Sequence, residues 1–274
     1  MSTTVYIQDS SDITVQGVER LFLGEGLFET LKVHDQQACY TQQHWERLSA
    51  SASALNIPFN VSLTHCIDLI NEAIRHANIV EGGIKLILTS ADAPRGLANK
   101  ANESKFIIIP FECSPSKKPL KLMGSKWRRD PNNPIYQYKS INYLECIQAQ
   151  RIAKSRGLDD VLFFNTHQHA TETTMANIFV IKNDQLITPP ETCGLLPGII
   201  RQRAIIIAER LGIELLQKQI NHQFIASSDA LFLTNSLKLI QPVSELDGQV
   251  FNTTHPMINT FHAALVEEKG LANN

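Results

Sequence analysis

Long apolar runs, cysteine pairs and blocks of one charge are all missing from this chain of 274 residues. No hydrophobic stretch is long enough to span a bilayer, which excludes a membrane protein of the helical kind. The start, MSTTVYIQDSSD, has neither a basic leader nor an apolar core, so the chain is expected to stay in the cytoplasm. Cys39, Cys66, Cys113, Cys146 and Cys193 are odd in number and form no CxxC, which argues against a disulfide framework or a zinc site. His167 and His169 make an HxH pair, but NTHQHAT is turn-like and offers no third ligand, so no metal is expected. Lys+Arg number 25 against 27 Asp+Glu, and the basic residues cluster no further than Lys117-Lys118 and Arg128-Arg129. No footprint for nucleic acid follows, and the expected partner is a small molecule. Repeats and low-complexity tracts are absent as well.

What is present is a 43% hydrophobic content with clear periodicity. Gly26 to Val33 alternates like a strand. QQHWERLSASASALNIP reads as a helix with Trp45, Leu48, Ala52 and Leu55 on one side and Pro58 beyond its end, and a second helix covers roughly Ser62 to Ala77. Strands follow from Ile84 and Lys105, separated by the turn-rich ADAPRGLANKANES. The polar CSPSKKP is the expected connection, giving domains over 1–116 and 117–274. Beyond Lys139, the spacing of Ile141, Leu144 and Ile147 predicts a helix that Lys154 and Arg156 close and Gly157 caps. DDVLFFN, NIFVIK, QLITPP, ELLQKQI and ALFLTNS read as strands. A helix opens with Pro197 in its first turn, and another closes the chain near Met257 to Glu267. Both halves mix α and β.

The lysine of YKSINYL is the candidate for chemistry. At a helix start the macrodipole disfavours a cation, and Ile141 and Leu144 add desolvation, so Lys139 is expected to have a lowered pKa. A neutral amine is a nucleophile toward carbonyls, as Schiff-base chemistry requires. A pyridoxal phosphate site also needs a carboxylate for the pyridine nitrogen and donors for the phosphate. Glu172 in TETT, the helix start in LPGIIR and Arg47 in HWERL are candidates. Taken singly, each has an ordinary explanation: Arg47 as a surface arginine, Glu172 as a solvated acid, Thr30 as a strand residue.

Taken in order, GEGLFETLKV, HWERL, PRG, YKSINYL, TETTMANIFV, LLPGIIR and TNSLKLIQPV resemble the fold-type IV pyridoxal-phosphate enzymes, the class IV aminotransferase family, over about residues 20–250. The resemblance implies an α/β (mixed α+β) fold like the D-amino-acid aminotransferases. A small N-terminal α/β domain would precede a larger, barrel-like C-terminal one, in a homodimer. It implies pyridoxal 5'-phosphate as cofactor, Lys139 as the residue that carries it and shuttles the substrate proton, and Glu172 as partner of the pyridine nitrogen. Arg47, the amides of Ile199 and Ile200, and Ser236 are implied as phosphate contacts.

Departures from the family pattern bear on the branch. Ile200 stands where aminotransferases usually carry threonine, so one hydroxyl donor is lost while the backbone amide remains. Thr234-Asn235-Ser236-Leu237 resembles the turn of the aminodeoxychorismate lyases rather than the Gly-Thr-Ala turn of the aminotransferases. Thr30 matches a lyase threonine that assists proton transfer beside the lysine. Arg95 matches a position that holds substrate carboxylate, and Leu97 replaces a histidine of the D-amino-acid enzymes. The lyase branch is therefore favoured, with 4-amino-4-deoxychorismate as substrate and Phe28, Asn235 and Lys238 as further substrate contacts. The alternatives are an aminotransferase for branched-chain or D-amino acids and a catalytically idle binding or scaffold protein.

Overall fold

The computed structural model describes residues 3–5, 13–15, 19–91, 93–94, 96–114, 116 and 118–268. The chain divides into two compact units: residues up to Ser114 together with Lys139–Asn142, and residues 115–138 together with the chain from Tyr143 onward.

The first unit contains β1 (Thr3–Val5), β2 (Ile13–Val15), α1 (Glu19–Phe22), β3 (Gly26–His34), β4 (Gln37–Ala38), α2 (Thr41–Ala54), α3 (Leu63–Ala77), β5 (Gly82–Ser90) and β6 (Ser104–Glu112). β1 and β2 pair with each other, and a four-stranded antiparallel sheet runs in the order β4-β3-β5-β6. Strand alternation gives this sheet two different faces. Leu31 and Ile84 point to the side where Cys66, Ile70 and Ile74 of α3 close the core. Phe28, Ile87 and Ile107 share the opposite side, as do Thr30, Lys85 and Ile109. Ser62 caps α3 by accepting from the His65 amide at 3.2 Å, and Asn78 ends it in the left-handed region at φ 53°.

The second unit contains β7 (Leu120–Arg129), α4 (Leu144–Ser155), β8 (Asp160–Asn165), β9 (Ala170–Thr173), β10 (Asn177–Lys182), β11 (Gln185–Thr188), α5 (Ile199–Arg210), β12 (Leu215–Gln217), α6 (His222–Ala226), β13 (Ala230–Asn235), β14 (Leu239–Leu246), β15 (Gln249–Val250) and α7 (Pro256–Glu268). Six strands form a closed ring, β10-β13-β14-β7-β8-β9, which shuts where Asn177 pairs with Glu172. β11 and β12 extend it beyond β10. Leu122, Leu162, Ile178, Val180, Leu231 and Val243 belong to the core of this unit. The mixed α/β class with a barrel-like second half is therefore the one expected.

Two local expectations fail, and two strands go unforeseen. Lys139 does not begin a helix: α4 starts at Leu144, and Leu27 and Ser140 form a β-bridge instead. The apolar spacing misleads because α4 buries the small Ala149 and Ala153, while Leu144 and Ile147 are exposed. The macrodipole argument for Lys139 goes with it. Pro197 precedes the α5 N-cap, Gly198, rather than occupying the first turn. β7 and β14 are strands that the sequence pattern does not reveal. β14 carries Pro242, which lacks a ladder donor, yet it lies between β13 and β7, with a register shift just beyond it at Val243/Glu245. The Gly157 cap is present, at φ 74° and donating to the Lys154 carbonyl. No helix among the described residues is long and apolar enough to cross a membrane.

Ile84 is fully buried at the centre of its sheet, whereas Ile206 on α5 is 46% exposed. Ile84→Ala should lower unfolding stability by about 2–5 kcal/mol and Ile206→Ala by less than about 1 kcal/mol. Urea titrations giving equal losses would contradict this assignment of the core.

Candidate active site

In the first unit, Lys139 to Ile141 lie beside β3. The Phe28 amide donates to the Lys139 carbonyl at 2.9 Å, and the Ile141 amide donates to the Gly26 carbonyl at 3.0 Å. This pairing aims the half-buried Lys139 side chain along the Phe28 face, with Nζ 4.2 Å from the ring centroid. Aromatic faces attract cations at such distances. Thr30 is two residues along the same face, roughly 7 Å by strand geometry. Directly opposite Thr30 is Lys85, whose Nζ lies 4.8 Å from the same Phe28 ring. Sequence reasoning missed Lys85, whose alternating strand context suggests only a solvent-facing cation.

Glu29, between Phe28 and Thr30, points the other way, toward α2. Its carboxylate takes Arg47 Nε at 2.8 Å and Nη2 at 2.6 Å, and His44 Nδ1 lies 2.6 Å from Oε2. Glu29 and His44 are each 1% exposed. Burial alone would raise the Glu29 pKa, but the Arg47 charge and the His44 hydrogen bond hold it down to about 2. His44 is pushed below its ordinary value by burial, partly offset by Glu29 and reinforced by the charges on Arg47 and Lys139. A neutral His44 donates from Nδ1 to the ionised carboxylate. Arg47 is thus oriented by a buried carboxylate rather than splayed over the surface. Glu29 and His44 are legible only as strand and helix positions, because nothing in FET or QHW signals a buried pair.

In the second unit, Asn177 is the hub. It pairs in register with Glu172 on one side and Thr234 on the other. Its Nδ2 donates to Glu172 Oε2 at 3.3 Å and to the Leu196 carbonyl at 2.9 Å, while the Leu196 amide donates to the same Oε2 at 3.1 Å. These bonds tie Glu172 to the segment that leads into α5. Gly198 is needed there, since a Cβ would lie 1.9 Å from Asn177 Oδ1. Gly198 provides no side-chain cap, so the first-turn amides at Ile199 and Ile200 present the positive end of a 12-residue helix. Both isoleucine side chains are buried, so any contact they offer a ligand is through the backbone. Arg201 fastens this helix start, donating to the Pro189 carbonyl at 3.0 Å and Gln217 Oε1 at 2.8 Å.

Ser236 is in the β13–β14 turn, which Asn235 Oδ1 shapes by accepting from the Lys238 amide at 2.9 Å. Asn235, Ser236 and Lys238 are half-buried there, just beyond the Thr234 that pairs with Asn177. Arg95 lies outside the described residues. Leu97 is 84% exposed. Arg129, which reads in the sequence as half of a basic pair, is 2% exposed and donates from Nη1 to Glu172 Oε1 at 2.8 Å.

The buried Glu29 network has a pH signature. A carboxyl whose folded pKa is depressed contributes stability that is complete above 4.5, its ordinary value, and lost as pH falls toward about 2. The loss should reach roughly 3 kcal/mol. The lowered His44 pKa adds a loss that begins as pH falls through 6.5, because the unfolded histidine takes a proton that the folded one refuses. Urea midpoints measured from about pH 7 to about pH 3 should therefore decline, and Glu29→Gln should be less stable near neutral pH and flatter below 4.5. A Glu29→Gln curve parallel to that of the wild type would refute the assignment.

Comparison with known proteins agrees with these motifs. The pattern of the family "Amino-transferase class IV" matches residues 26–246. A "Putative branched-chain-amino-acid aminotransferase" of Methanocaldococcus jannaschii is 30% identical over 238 residues, covering 85% of this chain and 82% of that protein. A crystal structure from Legionella pneumophila, described as "Putative 4-amino-4-deoxychorismate lyase", is similar with a TM-score of 0.91 and 42% identity over 95% of this chain and 96% of that one. The branched-chain aminotransferase of Thermoproteus uzoniensis, crystallised with norvaline, shares the fold at a TM-score of 0.86 and 23% identity, covering 97% of this chain and 94% of that one. The chain belongs to the class IV aminotransferase family and is a pyridoxal-phosphate-dependent enzyme.

Proposed function

We propose that the enzyme is a lyase acting on 4-amino-4-deoxychorismate, releasing pyruvate and leaving 4-aminobenzoate for folate synthesis in the cytoplasm. The observation that carries this reading is the likeness, at 42% identity over 95% of the chain, to the Legionella protein so described. Thr30 on the Lys139 face and the Asn235-Ser236-Leu237 turn support it.

The donor chemistry fits the cofactor. Lys139 offers an amine for the aldehyde, Glu172 a carboxylate for the pyridine nitrogen, and the α5 start backbone amides for the phosphate. Arg47 and Ser236 are assigned to the phosphate as well, with Glu29 fixing the Arg47 guanidinium. When bound, pyridoxal phosphate supplies an electron sink. Lys139 then takes the proton from the amine-bearing ring carbon, and Thr30 or protonated Lys139 returns a proton as the enolpyruvyl ether leaves. Release of pyruvate makes the ring aromatic, which drives the elimination. The dianionic substrate calls for cations, and Arg95 is the first assigned, with Lys238, Asn235 and Phe28 as further contacts. The reading includes a homodimer, for which Ile107 and Ile109, 39% and 43% exposed on the sheet face away from α3, offer apolar surface.

The second reading, an aminotransferase, is favoured by the relative from Methanocaldococcus jannaschii. The two differ in what they require. Cofactor-loaded enzyme should release pyruvate from aminodeoxychorismate with no added keto acid, and Lys139→Ala should abolish release. Thr30→Val should lower kcat at least about tenfold with KM little changed, as loss of a proton-transfer group does. Turnover of a branched-chain amino acid that depends on 2-oxoglutarate, with no pyruvate release, would instead establish the aminotransferase.

A further inference from the structure

We propose that Arg129 is a positioning residue for the Glu172 carboxylate and that Glu145 anchors Arg129 in that task. The inference rests on the reading of Glu172 as partner of the cofactor's ring nitrogen, and it concerns how that partner is held.

A glutamate on a strand has three rotatable side-chain bonds, whereas a ring nitrogen needs a carboxylate oxygen fixed to within about 0.5 Å. Glu172 Oε2 is held by the Leu196 amide at 3.1 Å and Asn177 Nδ2 at 3.3 Å, both neutral donors. A charged contact reaches Oε1, from Arg129 Nη1 at 2.8 Å. All three bonds end on an ionised acceptor, but Arg129 also brings a charged donor, so its contact adds ion pairing to the hydrogen bond and outweighs either neutral donor in setting the orientation.

Arg129 is itself immobilised. Its guanidinium carbon lies 3.9 Å from the Phe163 ring centroid and 4.7 Å from that of Tyr136, and its Nε and Nη2 donate to Glu145 Oε2 at 3.1 and 2.9 Å. One edge of the fork is therefore taken by Glu145, and Nη1 points at Glu172. Lysine cannot reproduce this, because it has neither the planar fork nor the stacking surface. Glu145 is in the first turn of α4, with 32% of its side chain accessible, so it anchors Arg129 without a large burial cost of its own. The cluster of one guanidinium and two carboxylates leaves one net negative charge, which complements a protonated ring nitrogen.

A merely structural arginine would be felt in folding alone. The test therefore uses purified protein with Arg129→Lys, Glu145→Gln, Glu172→Gln and the Arg129→Lys/Glu172→Gln double variant. Three quantities are measured: the Kd for pyridoxal phosphate by absorbance titration, the pH profile of the visible band of the bound cofactor, and the Tm of the cofactor-free chain. Arg129→Lys should weaken cofactor binding about tenfold or more, as loss of a hydrogen bond to a charged group does. It should also shift the band's pH profile in the same direction as Glu172→Gln. In the double variant the two losses should be less than multiplicative, since both remove one coupled arrangement. If Arg129→Lys fails to fold, Glu145→Gln takes its place, with an expected loss of about threefold and the same direction of spectral shift.

Unchanged affinity and spectrum in a folded Arg129→Lys, or in Glu145→Gln where the lysine variant does not fold, overturns the proposal while Glu172→Gln still alters both. Fully multiplicative losses overturn it as well. A Glu172→Gln protein with the affinity and spectrum of the wild type overturns the reading of Glu172, and the proposal with it. Absence of any visible band in the wild type with pyridoxal phosphate has the same double consequence.

Discussion

Two backbone hydrogen bonds decide where the amine of this enzyme stands. Phe28 N–H to the Lys139 carbonyl and Ile141 N–H to the Gly26 carbonyl add residues 139–141 to the edge of β3 that β5 leaves open. Because side chains alternate along a strand, this register sends Lys139 to the Phe28 and Thr30 face and leaves Glu29 facing α2. The tripeptide Phe28-Glu29-Thr30 thus serves two purposes at once: its outer members share the face on which the Phe28 ring meets the amine, and its middle member anchors Arg47 and His44. A slip of one residue would exchange these roles, placing a carboxylate beside the amine and a phenyl ring against the guanidinium. The buried Glu29 pair helps forbid that slip, since an ionised carboxylate is tolerated in a core only where its partners are.

The second unit solves a similar problem by closing a barrel. Asn177 begins β10 and touches both neighbours in register, so the point where the ring of six strands shuts is also the point where Glu172 meets the segment entering α5. Barrel closure removes free edges. Here it also fixes the distance between a carboxylate and a helix N-terminus, two groups of opposite electrostatic character that belong to different parts of the chain. Gly198 permits the approach, and Arg201 holds the helix start in place.

Much of this is legible in the residues, and the remainder escapes for identifiable reasons. Period-two alternation marks β3, apolar β-branched runs on either side of a turn-rich segment mark β5 and β6, and the helical pattern from about Ser62 to Ala77 marks α3. Ordered motifs, rather than any one of them, carry the family. Lys139 resembles a helix start because Ile141, Leu144 and Ile147 mimic a helical stripe, while the actual buried stripe of α4 is made of alanines too small to register in such a pattern. β14 is hidden by Pro242, and β7 by its glycine and charges around a bulge at Gly124/Arg128. Arg129, Glu145 and Asn177 are invisible for a further reason. Their importance lies in pairing across strands and helices distant in sequence, and no local spacing encodes it.

The cofactor-holding groups do not discriminate a lyase from an aminotransferase, because both reactions use the same electron sink and the same carrier lysine. In the proposed reading, discrimination comes from the face shared by Phe28, Thr30 and Lys85. An aminotransferase accommodates two substrates in turn, an amino donor and a keto acceptor, in one pocket. A lyase of the proposed kind receives one rigid dianion and has to manage a proton at a departing ether. The Lys85 ammonium is 4.8 Å from the Phe28 ring and directly across from the hydroxyl-bearing Thr30, on the face along which Lys139 lies, and the lyase reading assigns them charge and proton relay. On that reading the combination suits a single dianion more directly than a hydrophobic amino acid, whose side chain would meet a cation there. On the proposed lyase reading, substrate charge, more than side-chain shape, would set the preference of this site.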